Sequence, residues 1–229
     1  MQKLASRDVA VEVGPASLAG SLTIPNQAKG LVTFAHGSGS GRHSPRNRAV
    51  AERLNAAGLA TLLLDLLTPD EEARDRHTAQ LRFDIPLLTR RLRAAVDWIT
   101  RQPETAGLAV GLFGASTGGA AAISVAADST AVRAVVLRGG RPDLAAEALS
   151  RVKAPTLMIV GGDDPLVLEL NRRACAQMTA ECRLQVIPGA THLFEEPGAL
   201  DEVSRLATEW FVRYLSETLE SPTTRGSSG

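Results

Sequence analysis

Six short apolar runs recur along this chain, each followed by a longer amphipathic stretch, and no other feature constrains the fold as strongly. The runs cover residues 31–35, 60–64, 108–113, 134–137, 156–160 and 184–187. Their hydrophobicity is continuous rather than alternating, which marks strands buried on both faces, as in a parallel sheet. The stretches between them read as helices. Asp84 followed by Pro86 is a start signal, after which Leu88, Leu92, Ala95 and Ile99 recur at helical spacing. Leu200, Val203, Ala207, Trp210 and Tyr214 form a similar stripe near the end. Strand and helix alternating at least five times specifies a doubly wound α/β fold, a mostly parallel sheet with helices on both faces. Residues 8–13 and 18–24, joined by Gly14-Pro15, add an N-terminal antiparallel hairpin. Residues 1–220 are expected to form one domain, and residues 221–229, with nothing to bury, a disordered tail or an expression remnant.

Composition removes several function classes. Lys plus Arg and Asp plus Glu both number 25, so no extended basic face is expected for nucleic acid or an anionic membrane. Aromatic residues make up only 3% of the chain, which argues against stacking platforms for single strands. The N-terminus lacks the apolar stretch of a signal peptide, and the most apolar run, around residues 60–67, is interrupted by Asp65 and too short to span a bilayer. Cys175 and Cys182 lack metal-site spacing and read as free thiols, which suits a cytoplasmic protein. The charge-dense segment 68–84 reads as a solvated loop or short helix.

Several predicted strands end in glycine-rich turns, and a doubly wound sheet places its site at those carboxyl ends. Two nucleotide-binding patterns fail there. The third glycine of GxGxxG falls on Arg42, and Ala120 stands where a P-loop needs lysine. A different template fits: Gly114-Ala-Ser116-Thr-Gly118 is Gly-x-Ser-x-Gly between a strand and an alanine-rich helix. A nucleophile on such a tight turn needs small neighbours two residues to either side, and the helix beneath offers free N–H groups to an oxyanion.

A serine nucleophile requires a base oriented by an acid. His192 is the histidine that lies downstream of Ser116, in the loop after the last apolar run. The acid should end the preceding strand, where Gly161-Gly-Asp163-Asp164-Pro-Leu-Val167 offers two aspartates. The spacing Gly-x-x-Asp-x-x-Val selects Asp164 and leaves Asp163 as a turn or cap residue.

The elbow, the Asp and His loops and the His36-Gly37 turn together resemble the α/β-hydrolase fold, and within it the dienelactone-hydrolase-like branch, over residues 28–215. Members of that branch proper carry cysteine as nucleophile. Here Ser116 takes its place, which favours a general serine esterase over a lactonase. The resemblance implies that the backbone N–H groups of Thr117 and Ser38 form the oxyanion hole, with His36 bracing the loop. It implies neither cofactor nor metal.

Arg42 and Arg138 are expected at strand ends near the cleft mouth, as a clamp for a substrate carboxylate or as ion-pair partners of nearby acids. His43 is placed at the same mouth, and His77 in solvent. Only about 17 residues separate the strand ending near Arg138 from the next, enough for a helix at 143–150 but not for a lid. An open, shallow aliphatic pocket for small esters follows. Two rivals stay open: a thioesterase, amidase or peptidase with the same triad, and a non-catalytic hydrolase-fold protein that binds a small ligand.

Overall fold

The computed structural model describes residues 6–216. Strands β1 (Ser6–Val13), β2 (Ala16–Thr23), β3 (Leu31–Ala35), β4 (Ala60–Leu64), β5 (Val110–Ala115), β6 (Val132–Arg138), β7 (Thr156–Gly161) and β8 (Cys182–Ile187) form one sheet. Their order is β1-β2-β4-β3-β5-β6-β7-β8. The β1–β2 hairpin and the β2–β4 pair are antiparallel, and every pair from β4 to β8 is parallel. Each apolar run of the sequence therefore became a strand. β3, β4, β5 and β7 are buried at every position, as continuous hydrophobicity requires.

Helices α1 (Pro45–Ala56) and α6 (Ala199–Leu215) cover one face. Helices α3 (Ile85–Arg101), α4 (Thr117–Asp128) and α5 (Pro165–Gln177) cover the other, together with the 3-10 segment Pro142–Arg151. The stripe predicted for α3 is wholly buried, and Asp84 caps the helix by accepting the Leu87 N–H at 2.9 Å. In α6, Val203, Ala207 and Trp210 are buried, with Leu200 and Tyr214 at the margin of the same core. Segment 68–84 takes the short-helix alternative. Thr68 caps α2 (Pro69–Thr78) in a reciprocal capping box with Glu71, and a 3-10 turn follows at Leu81–Phe83. The tail expected at 221–229 lies outside the described residues.

The winding reverses between β3 and β5. From β3 the chain crosses to β4 on one side, and every later strand adds on the other. A crevice opens at the carboxyl ends on either side of such a switch point. Register fixes what lines it: Ala35 pairs with Gly114, so the turn leaving β3 lies beside the turn leaving β5.

One expectation is overturned here. Cys175 and Cys182 are not free thiols but a disulfide, with Cα atoms 5.6 Å apart. Cys175 lies in the last turn of α5 and Cys182 opens β8, so the short link between them folds the chain back on itself. Linear spacing does not reveal that proximity, and thiol usage no longer argues for a reducing compartment. A loop this short has a modest closure entropy, and reduction is expected to remove about 2 kcal/mol of stability. For a chain of this size that lowers Tm by about 4–8 °C. Thermal melts with and without a reductant will measure it, and an unchanged Tm contradicts the estimate.

Candidate active site

Ser116 sits between β5 and α4 with φ 48° and ψ −122°, a backbone conformation that a non-glycine residue rarely adopts. Three backbone hydrogen bonds hold it there. Its N–H donates to the Arg138 carbonyl at 3.3 Å, and its own carbonyl accepts from Gly119 at 2.9 Å and Arg141 at 3.0 Å. Strain persists where the surroundings over-determine it, most often at functional sites. The flanking glycines follow from contact. A Cβ on Gly114 would stand 2.6 Å from the Gly119 Cα, and one on Gly118 would stand 2.1 Å from the Ala35 carbonyl oxygen.

The sequence-derived partners converge on the same rim. His192, in the loop after β8, meets Asp164 with 2.7 Å between Nδ1 and Oδ2, so the carboxylate orients the imidazole by accepting its Nδ1–H. Asp164 is also the N-cap of α5, accepting the Val167 N–H at 3.4 Å. The Asp-x-x-Val spacing that singled it out is thus a capping interval. Asp163 is exposed and ties the turn to the His loop through its N–H, 2.9 Å from the Ala190 carbonyl. The imidazole lies over the strand end beside Ser116, since a Cβ on Gly139 would meet its Cε1 at 3.2 Å. Thr117 opens α4, where first-turn N–H groups lack helical acceptors. Ser38 stands against it, with 3.4 Å between the two hydroxyl oxygens.

The arginines divide. Arg42 is engaged by Asp65, which accepts its backbone N–H at 2.6 Å and its Nη1 at 3.2 Å, so it takes the ion-pair alternative rather than the clamp. Arg138 is 8% exposed, has no carboxylate partner among the described residues, and its buried Nη1 lacks an acceptor. Burial, and then Arg46, push its pKa down to about 10. His43 is exposed, and so is His77, on α2.

The cavity beside Ser38 and Thr117 departs from expectation. Besides Leu67 and Leu88 it is lined by Glu72, Asp75, Arg76 and Arg82, so it is not purely aliphatic. Sequence reasoning missed these residues because a charged helix reads as solvated. Yet Asp75 is buried, accepting from Arg82 Nε at 2.6 Å and from the Leu81 N–H at 2.6 Å. As expected, no lid is inserted after β6. The segment that borders Ser38 and Thr117 instead follows β4.

Two groups near this cavity make stability depend on pH. Burial lowers the pKa of His36 below its ordinary 6.5 despite the nearby Asp65 and Glu72. Hydrogen bonds from Arg91 bring Glu71 down from 4.5 to about 2. With both groups depressed, the unfolded chain takes up protons first. The His36 contribution is therefore full above pH 6.5 and shrinks below it, and that of Glu71 is lost as pH falls from 4.5 to about 2. Urea midpoints are expected to fall between about pH 7.5 and pH 5, and His36→Gln to flatten that limb; a slope unchanged in the variant contradicts the assignment.

A sheet that reverses its winding at β3, with a strained serine turn on the adjacent strand and an Asp–His pair on the same rim, defines a protein of the α/β-hydrolase fold. More narrowly, the chain belongs to the dienelactone hydrolase family, whose family model matches residues 18–218. It is 58% identical to the dienelactone hydrolase of Anabaena variabilis, with a TM-score of 0.91 over 93% of this chain and 100% of that one. The dienelactone hydrolase-like promiscuous phosphotriesterase P91 from metagenomic libraries shares the fold at 21% identity, with a TM-score of 0.77 over 92% of this chain and 98% of that one. A putative phosphoribosyl transferase of Mycobacterium tuberculosis is 58% identical over 213 residues, which are 93% of this chain but 47% of that protein. The chain thus spans about half the length of that curated relative. No helix among the described residues is long and apolar enough to cross a membrane.

Proposed function

We propose that this chain hydrolyses carboxylic esters through an acyl-enzyme on Ser116. His192 Nε2 takes the Ser116 proton as Oγ attacks the ester carbonyl, and the N–H groups of Thr117 and Ser38 receive the oxyanion. The imidazolium returns the proton to the departing alcohol. Water, activated by the same imidazole, then releases the acid. Asp164 keeps His192 in the tautomer that presents Nε2. The observation that carries this reading is the elbow itself: a serine at φ 48°, beside an imidazole already oriented by a carboxylate at 2.7 Å. Ser116 Oγ is not hydrogen-bonded to the imidazole here, and such contacts commonly tighten only with substrate bound.

The name of the Anabaena relative supports ester chemistry, since a dienelactone is a cyclic ester. The name of the mycobacterial relative describes a protein about twice as long, and both phosphate-binding patterns lack a required residue here. On the substrate side, Phe83, Leu144, Leu166 and Leu193 are the exposed large apolar side chains among the described residues, and all stand on segments leaving strand carboxyl ends. They favour an ester with an apolar portion. Arg138, a buried cation without a counter-ion among the described residues, is offered as the partner of a substrate carboxylate, a role Arg42 gives up to Asp65. No cofactor, nucleic acid or membrane enters the scheme.

The test is labelling with a fluorophosphonate, with the adduct mapped to its peptide, alongside turnover of matched ester, thioester and anilide substrates. Labelling at Ser116 with the ester turned over fastest is expected. No labelling overturns the reading in favour of a binding protein, and faster thioester or anilide turnover overturns the leaving group.

A further inference from the structure

An oxyanion donor is half of a peptide unit, and whatever holds the other half aims it. The Ser38 N–H shares its planar peptide with the Gly37 carbonyl, so the two point in opposite directions. Glycine at 37 frees one of the two torsions about which that peptide turns, so its neighbours help to set its orientation. The Gly37 carbonyl is held. It accepts from His36 Nδ1 at 2.9 Å and from the Ser40 N–H of its own turn at 3.2 Å, and His36 Nε2 accepts the Leu66 N–H at 2.8 Å. A carbonyl can only accept and an amide N–H only donate, so these neighbours fix the neutral tautomer with its proton on Nδ1.

The chain of contacts continues into the protein. Arg91 of α3, 4% exposed, donates from Nη1 to the Leu66 carbonyl at 2.7 Å. It grips Glu71 with both nitrogens, Nη1 to Oε2 at 2.7 Å and Nη2 to Oε1 at 2.6 Å. Glu71 is itself fixed by the Thr68 N–H, which donates to Oε2 at 2.9 Å. Leu66 is thus held on both sides, by His36 at its N–H and by Arg91 at its carbonyl. A buried ion pair in an apolar face is a weak source of stability compared with packed hydrophobic side chains. Its fixed bidentate geometry supplies position instead.

The geometry points to Arg91 and Glu71 as positioning residues for ester hydrolysis: through Leu66 and His36 they set the Gly37–Ser38 peptide so that the Ser38 N–H faces the oxyanion. Neither touches the reacting atoms. The inference rests on the serine-hydrolase reading of Ser116 and adds to it a control point three residues into α2 and another midway along α3.

The test uses Arg91→Lys, which keeps the charge but loses the bidentate grip, and Glu71→Gln, which keeps the shape but loses the charge. For each variant, kcat and KM for a short activated ester are measured per active site, counted by end-point titration with a fluorophosphonate. Affinity for a trifluoromethyl ketone, which forms a tetrahedral adduct with a serine, is measured in parallel. Deleting an oxyanion donor outright costs ~10²–10³ in rate, so misaiming one should lower kcat per titrated site about tenfold. KM should stay within about twofold, and the ketone should weaken by the same factor as kcat/KM. A purely structural role lowers the number of titrated sites and leaves kcat per site unchanged, and that result overturns the inference. Should Arg91→Lys fail to fold, Glu71→Gln decides on the same readouts. Variants that match an active wild type sink this inference alone, whereas a wild type that neither labels nor turns over ester sinks the underlying reading as well.

Discussion

Ser116→Ala is expected to lower kcat/KM for a short activated ester by ~10⁴–10⁶, the loss that follows removal of an acyl-transfer nucleophile. Stability should not fall with activity, and glycine shows this best. Ser116 is held at φ 48°, a conformation that costs of order 1–3 kcal/mol for a residue with a Cβ. Alanine keeps that Cβ and should melt close to the wild type. Ser116→Gly removes it, and after the extra freedom glycine gives the unfolded chain, a gain of about 1 kcal/mol remains, or about 2–4 °C in Tm. Inactivity combined with a higher melting temperature marks a strained residue kept for chemistry. If Ser116→Gly melts lower than the wild type, the strain argument fails. If Ser116→Ala retains its rate, the nucleophile has been misassigned.

What was legible in the sequence was whatever depends on neighbours in the chain. Strands betray themselves by continuous apolar runs, the elbow by its two glycines, and Asp164 by the Gly-x-x-Asp-x-x-Val spacing, whose last interval is a helix cap in the structure. The order Ser116, Asp164, His192 then required only that the strand ends share one rim, which parallel winding guarantees. The features that stayed hidden depend on partners distant in sequence. Asp65 lies 23 residues from Arg42, and Glu71 lies 20 from Arg91, so charges that look solvated one by one turn out to be paired and partly buried. Asp75 reads as surface on a helix with acidic and basic residues throughout, until the turn at Leu81–Phe83 folds Arg82 back onto it. The disulfide belongs to the same class, because only the return of β8 beside α5 brings its two cysteines together. A hydrophobic period reports which face is buried. It carries no information about which buried charge meets which.

Gly118 is where local propensity and packing make opposite predictions, and their magnitudes decide between them. The residue lies in the first turn of α4 with ordinary backbone angles, so helix propensity alone favours Gly118→Ala by about 1 kcal/mol. Packing opposes it. The new methyl would stand 2.1 Å from the Ala35 carbonyl oxygen and 2.6 Å from that of His36, both backbone atoms at the end of β3. No side chain can rotate away to relieve these contacts. Either α4 lifts off the sheet or the turn leaving β3 moves, and that turn carries Ser38. Overpacking of a tight site costs about 1–3 kcal/mol and more where backbone must shift, so a net loss of about 2–3 kcal/mol is expected. That corresponds to a Tm lower by about 4–12 °C. Because the displaced backbone includes the turn that carries Ser38, the proposed oxyanion donor, kcat per titrated Ser116 should fall even in the folded fraction. Gly14→Ala provides the comparison: its φ is 58° but nothing lies within 4 Å, so it incurs only the backbone penalty, about 1 kcal/mol. A Gly118→Ala variant that melts at or above the wild-type temperature would mean that α4 can withdraw from β3 at little cost. The Gly-x-Ser-x-Gly spacing would then not be a packing requirement in this protein.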